Sequence, residues 1–129
     1  MKYEAAGIVI DVRGGLLVVT SGAGTKLVRA DRVSFVDAVG LSECEGRPSV
    51  RLWFEGDSHV IVTGDAPFVE VDGHGGRQPW EDQFEFELRK REIRARTCQV
   101  LDDAVIEARQ AIFNAFMRAM LEALNFKRG

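Results

Sequence analysis

A carboxylate, a serine and a histidine, the residue types of a hydrolytic site, lie together in residues 56–59, Gly-Asp-Ser-His. Hydrolysis by a serine needs the hydroxyl beside a histidine base, and a carboxylate that orients this base. Here the Gly-Asp pair separates two runs of β-forming residues, 49–55 and 58–63, which is typical of a hairpin. Ser58 and His59 would then be neighbours in one strand, where successive side chains point to opposite faces. The spacing therefore predicts a turn rather than a catalytic group.

Three short motifs, among them the block at 56–59, are explained better by structure than by catalysis. The block at 56–59 resembles the Gly-Asp-Ser block of a lipase and esterase family, but the Asp-x-x-His block that completes the family pattern is absent. Residues 73–76, Gly-His-Gly-Gly, are similar to the glycine-rich segments that form oxyanion holes. However, the sequence contains no Gly-x-Ser-x-Gly motif to supply a nucleophile. Residues 21–26 contain glycines and a lysine without P-loop spacing. We therefore predict no catalytic residues and no enzyme.

A metal site would have to use the cysteines and histidines, which are scattered along the chain. The candidates are Cys44, His59, His74 and Cys98. Zinc sites usually begin from a close-spaced pair of ligands, and no such pair is present among these four. We predict no metal and no cofactor. The two cysteines are interpreted as free thiols in a reducing cytoplasm.

Five cations fall within eight residues near the start of the C-terminal region. They are Arg89, Lys90, Arg91, Arg94 and Arg96. Such a cluster could bind the phosphates of nucleic acid or of lipid headgroups, and we keep anion binding as an alternative function. We favour a solvated helix surface neutralised by Glu85, Glu87 and Glu92. The net charge of −3 also lacks the basic excess that is typical of nucleic-acid-binding domains.

The strongest pattern lies in residues 101–126, where apolar residues recur at steps of three and four. This spacing predicts a helix with one apolar face, which either the N-terminal half or a second copy of the chain must cover. We predict that a second copy of the chain covers this face. The predicted oligomer interface contains six residues: Leu101, Val105, Ile112, Phe116, Met120 and Leu124.

Residues 1–73 predict an antiparallel β-domain. A Gly-Gly pair at 14–15 favours a two-residue turn that places Val12 opposite Leu17 and makes one apolar face. A second two-residue turn would place Phe54 opposite His59, at the clearest hairpin of the chain.

The two tryptophans, Trp53 and Trp80, are candidates for a binding surface. Trp53 falls on the predicted hairpin face opposite Phe54, either beneath the C-terminal helix or on a contact surface, and we favour burial.

Residues 79–127 predict a C-terminal helical element, which begins at Pro79 after a glycine-rich linker. One unbroken helix there would be about 70 Å long, so the alternatives are a break near residues 97–103 or a projecting helix. Residues 83–89 alternate like a strand but also carry helical charge pairs, and we favour helix.

These elements predict an α+β fold: an antiparallel meander of about six to seven strands in a small barrel or bent sheet, followed by a long or broken helix. The outline resembles the pleckstrin-homology superfold, and residues 27–71 resemble small bacterial β-proteins found among flagellar and matrix regulators.

The chain lacks a signal sequence and a membrane span, so we expect a cytoplasmic protein. The leading hypothesis is a non-enzymatic interaction or assembly protein that acts as a homo-oligomer. A protein partner is compatible with this hypothesis. Nucleic acid is a less favoured partner. A small-ligand-binding β-domain, with His59 and Asp57 near its site, is a further alternative.

Overall fold

The computed structural model describes residues 1–39, 46–69 and 75–128, with side chains in the helix described as far as residue 125. These residues form strands β1 (Lys2–Ala5), β2 (Ile8–Arg13), β3 (Leu16–Ser21) and β4 (Gly24–Arg29), a 3₁₀ turn (Ala30–Arg32), strands β5 (Val33–Ala38), β6 (Ser49–Phe54) and β7 (His59–Thr63), and helix α1 (Gln83–Arg128). The α+β class predicted from the sequence is confirmed.

The strands form two antiparallel sheets, with order β1-β2-β3-β4 in the first and β5-β6-β7 in the second. Each pairing joins strands that are consecutive in the chain, as a meander requires. In the described parts of the chain the sheets share no strand pairing, so they do not close into a barrel. The predicted barrel is therefore not supported, and the pleckstrin-homology outline is not confirmed.

The two hairpins show how far local sequence determines register. In the β2–β3 hairpin Val12 pairs with Leu17, as the Gly-Gly turn predicts. In the β6–β7 hairpin the turn holds three residues instead of two, and it includes Asp57 at a positive φ of 66°. Trp53 therefore pairs with His59, where Phe54 was predicted. This one-residue shift moves His59 and Ile61 of β7 to the face of the second sheet that carries Trp53.

The core lies between both sheets and α1. Its fully or almost fully buried members are Ile8, Ile10, Leu17, Val19 and Val28 from the first sheet, Val50, Leu52 and Val62 from the second, and Ile112, Phe116, Ala119 and Ala123 from α1. The alternating positions on the strands and the helical spacing on α1 explain why these side chains meet.

The chain leaving β7 joins the second sheet to the first at a close contact. The Asp65 N–H donates to the Ala6 carbonyl at 2.8 Å, in the turn between β1 and β2. A Cβ atom on Gly64 would lie 2.6 Å from that carbonyl oxygen and 3.0 Å from Cδ1 of Ile112. Because Gly64 has no side chain, this segment can lie against both the β1–β2 turn and α1.

Helix α1 is continuous over 46 residues, about 69 Å at 1.5 Å per residue, so it neither breaks near residues 97–103 nor starts as a strand. Asp82 caps it, because its Oδ1 accepts a hydrogen bond from the Glu85 N–H at 2.7 Å, and the helix begins four residues after Pro79. Between Gln83 and Ala104 no side chain is buried. Among the residues described, no helix offers a stretch apolar enough to cross a bilayer.

Candidate functional site

The six residues predicted as an oligomer interface divide into two groups. Val105 is 4% exposed, and Ile112 and Phe116 are fully buried, the last two within the core formed with the sheets. Leu101 and Leu124 are exposed, and Met120 is half-buried. The sheets of the same chain therefore cover the middle of the predicted face, which leaves those residues inaccessible to a second copy in this fold.

A second apolar face runs along α1 beside the buried one. Its members follow one another at steps of seven, four, four and three residues, which keeps them on one side of the helix. We call this the outer face: Ile106, Phe113, Met117, Leu121 and Leu124. Phe113 is half-buried, and the other four side chains are 38–59% exposed, Leu121 most of all.

A groove of about 280 Å³ lies between the outer face and β5. The second sheet lines it with Val36, Asp37, Ala38 and Val50, and the helix lines it with Ile106, Gln110 and Phe113. Arg109, which also lines the groove, donates from Nη1 to the Val39 carbonyl at 2.8 Å. This hydrogen bond fixes the distance between α1 and the end of β5.

Two cations of the predicted anion-binding cluster, Arg89 and Lys90, are paired with carboxylates of the same chain. Arg89 holds Glu81 through two hydrogen bonds, Nε to Oε2 at 2.7 Å and Nη2 to Oε1 at 2.8 Å. The same guanidinium donates to the Gly76 carbonyl at 3.0 Å. Arg89, the first cation of the cluster, therefore links residues 76–81 to the start of α1.

Glu81 is the one buried carboxylate of this region, in the part of the chain that the structure describes. The hydrogen bonds from Arg89, followed by the bond from the Gln78 N–H, lower the pKa of Glu81 to about 2. A carboxylate held in this way stays charged at physiological pH and cannot serve as a general acid there.

The remaining cations do not form one surface. Lys90 pairs with Glu87 at 3.0 Å on the adjacent turn. Arg91, Arg94 and Arg96 are exposed, but residues two apart on a helix do not face each other, so Arg96 is separated from Arg94. Arg91 and Arg94 are three residues apart and neighbours on the helix surface, so a polyanion could contact these two exposed cations together.

The outer side of the second sheet carries an aromatic row that sequence reasoning missed. Trp53 stacks on Phe35, with ring centroids 5.6 Å apart, and contacts the His59 ring at 4.6 Å. Its Nε1 donates to Asp37 at 3.2 Å, and the Arg51 guanidinium lies 5.3 Å from the ring. Trp53 is half-buried by these neighbours rather than by α1. The one-residue turn error concealed the row, because it placed Trp53 and His59 on opposite faces.

The other candidate residues are not brought together. Ser58 and His59 are exposed at the start of β7. Trp80 is 77% exposed, and Cys98 is an exposed free thiol. Cys44 and His74 lie outside the described residues, and among those described no three His, Cys, Asp or Glu side chains are grouped as metal ligands.

The fold and site define an α+β domain of two small sheets and one helix of 46 residues, whose buried side chains, among those described, all lie between Val105 and Ala123. A comparison of the chain with protein-family models, curated proteins and solved structures gave no match.

Proposed function

We propose that this protein is a non-enzymatic interaction and assembly protein that works as a homo-oligomer through the outer face of α1. The observation that supports the proposal is that α1 carries two apolar faces, of which the sheets cover one. The outer face replaces the middle of the interface predicted from the sequence and retains Leu124. Apolar side chains exposed side by side on one surface are typical of association sites.

The exposed area is sufficient for a reversible association. Full burial of a Leu, Ile or Met side chain contributes about 1.5–3 kcal/mol. Four side chains that are roughly half exposed therefore offer on the order of 4 kcal/mol per copy, and about twice that in a symmetric dimer. The cost of association is of similar size, so we expect an oligomer that dissociates on dilution.

The test is a pair of matched substitutions on exposed leucine and valine side chains of the same helix. Leu121→Glu places a carboxylate on the outer face, and Val100→Glu places one at a 47% exposed site elsewhere on α1. Light scattering over a wide range of protein concentration should show that Leu121→Glu is monomeric, whereas Val100→Glu retains the mass of the native chain. Circular dichroism should show full helix content in both variants.

Two results contradict the proposal. One is a native chain that stays monomeric at every concentration measured. The other is an oligomer whose mass is unchanged by Leu121→Glu, since the association surface would then lie elsewhere.

A further inference from the structure

We infer that two copies pair through antiparallel α1 helices, so that Leu121 of each copy fills the groove between α1 and β5 of the other. This inference rests on the proposed function and specifies its partner and geometry. It follows from three features of the outer face: a recess at one end, a protrusion at the other, and the position of one charge.

The recess has the spacing of a hole in packed helices. The helix residues around it are Ile106, Arg109, Gln110 and Phe113, at positions i, i+3, i+4 and i+7. Four residues with this spacing accept one side chain from a facing helix. Val36 of β5 forms the opposite wall of the groove, so a side chain that enters also contacts the second sheet.

The protrusion is Leu121, at 59% the most exposed side chain of the outer face. It lies between Met117 and Leu124, one turn away in each direction, which are 38% and 39% exposed. A leucine supported on both sides by apolar neighbours has the shape and chemistry that the groove accepts.

Only the antiparallel orientation joins recess to protrusion within one symmetric dimer. A two-fold axis that is perpendicular to α1 and passes beside it, level with the midpoint between Gln110 and Leu121, brings both leucines onto both grooves at once. A parallel two-fold pair would place Leu121 against its own copy and leave both grooves empty.

The charge in the groove favours the same orientation. Two charged residues line the groove, Arg109 and Asp37, and Asp37 is paired with Arg51. Parallel pairing would place the Arg109 guanidinium groups of the two copies at the same level of the dimer. In the antiparallel pair they lie about 20 Å apart along the helix, given 1.5 Å per residue. That separation exceeds the screening length of about 8 Å at physiological ionic strength.

Disulfide trapping distinguishes the two orientations. In a full-length background with Cys44→Ser and Cys98→Ser, one preparation carries Gln110→Cys and another carries Leu121→Cys, both at exposed sites. We expect a covalent dimer when the two preparations are mixed and oxidised, and little from either alone. A preparation with Val100→Cys is the control and should not cross-link with either variant.

Light scattering of the background protein separates the possible failures. If it is oligomeric and each single-cysteine variant cross-links to itself, the helices are parallel, which overturns the inference and leaves the proposed function standing. An oligomer in which neither the mixture nor the single variants cross-link also overturns the inference. A background protein that is monomeric, with the native chain also monomeric, contradicts both proposals.

Discussion

Replacing Phe116 with alanine tests which surface covers the middle of α1. The ring is fully buried in the core that α1 forms with both sheets. Removal of a buried phenylalanine side chain costs about 3–5 kcal/mol, against a total stability of about 5–15 kcal/mol for a typical domain. Leu121→Ala, by contrast, shortens a side chain that is 59% exposed, and we expect a loss below about 1 kcal/mol in the stability of the monomer.

The assay is urea denaturation followed by far-ultraviolet circular dichroism. With a slope of roughly 2 kcal/mol per molar urea, a loss of about 4 kcal/mol lowers the midpoint by about 2 M. Each variant is measured at a low and a high protein concentration, because association contributes to the apparent stability of an oligomer. At the low concentration Phe116→Ala should show the full decrease, whereas Leu121→Ala should unfold close to the native midpoint.

The opposite pattern would refute the reasoning. If Phe116→Ala left the midpoint at low concentration unchanged but dissociated the oligomer, Phe116 would contact a second copy rather than the sheets. The interface predicted from the sequence alone, centred on Ile112 and Phe116, would then be correct.

Two further substitutions test the junction of the sheets and the start of α1. Gly64→Ala should lower the melting temperature by several degrees, because its Cβ would lie 2.6 Å from the Ala6 carbonyl oxygen. Such overpacking costs about 1–3 kcal/mol. The control is Gly76→Ala, whose Cβ would meet no atom within 4 Å and which should leave the melting temperature unchanged. Arg89→Ala should return the pKa of Glu81 from about 2 towards 4.5, as followed by carboxyl NMR signals. Because that pKa is lowered, the ion pair stabilises the native fold above pH 4.5 and is lost as the pH falls through about 2; an unchanged titration in the variant would show that Arg89 is not the cause.

The parts of the fold that local chemistry determines were predictable. The Gly-Gly turn sets the pairing of Val12 with Leu17, and the period of apolar residues identifies Ile112 and Phe116 as one helical face. The turn before β7 was predicted one residue too short, because Gly56 and Asp57 satisfy two turn lengths equally well. A single added turn residue was sufficient to exchange the faces of that strand.

The candidate site was less predictable, for a reason that applies to any amphipathic helix. Periodicity shows that a face is apolar, but it does not show whether a sheet of the same chain or another molecule covers it. Leu121 and Ile106 lie beside the predicted stripe, and their importance emerges only once the sheets are seen to occupy that stripe. Likewise, the pairing of Arg89 with Glu81 spans eight residues across the start of the helix, a separation outside the helical i+4 rule.

The uncovered stretch of α1 from Gln83 to Ala104 has a hydrodynamic consequence. A compact chain of 129 residues has a radius of gyration of about 14 Å, whereas a rod with the length of α1, about 69 Å, has one of roughly 20 Å. Friction with the solvent is therefore greater than for a sphere of equal mass. Gel filtration will overestimate the mass of a single copy, and a monomer will elute at the volume expected of a larger globular particle. The number of copies can be counted only by methods that do not depend on shape.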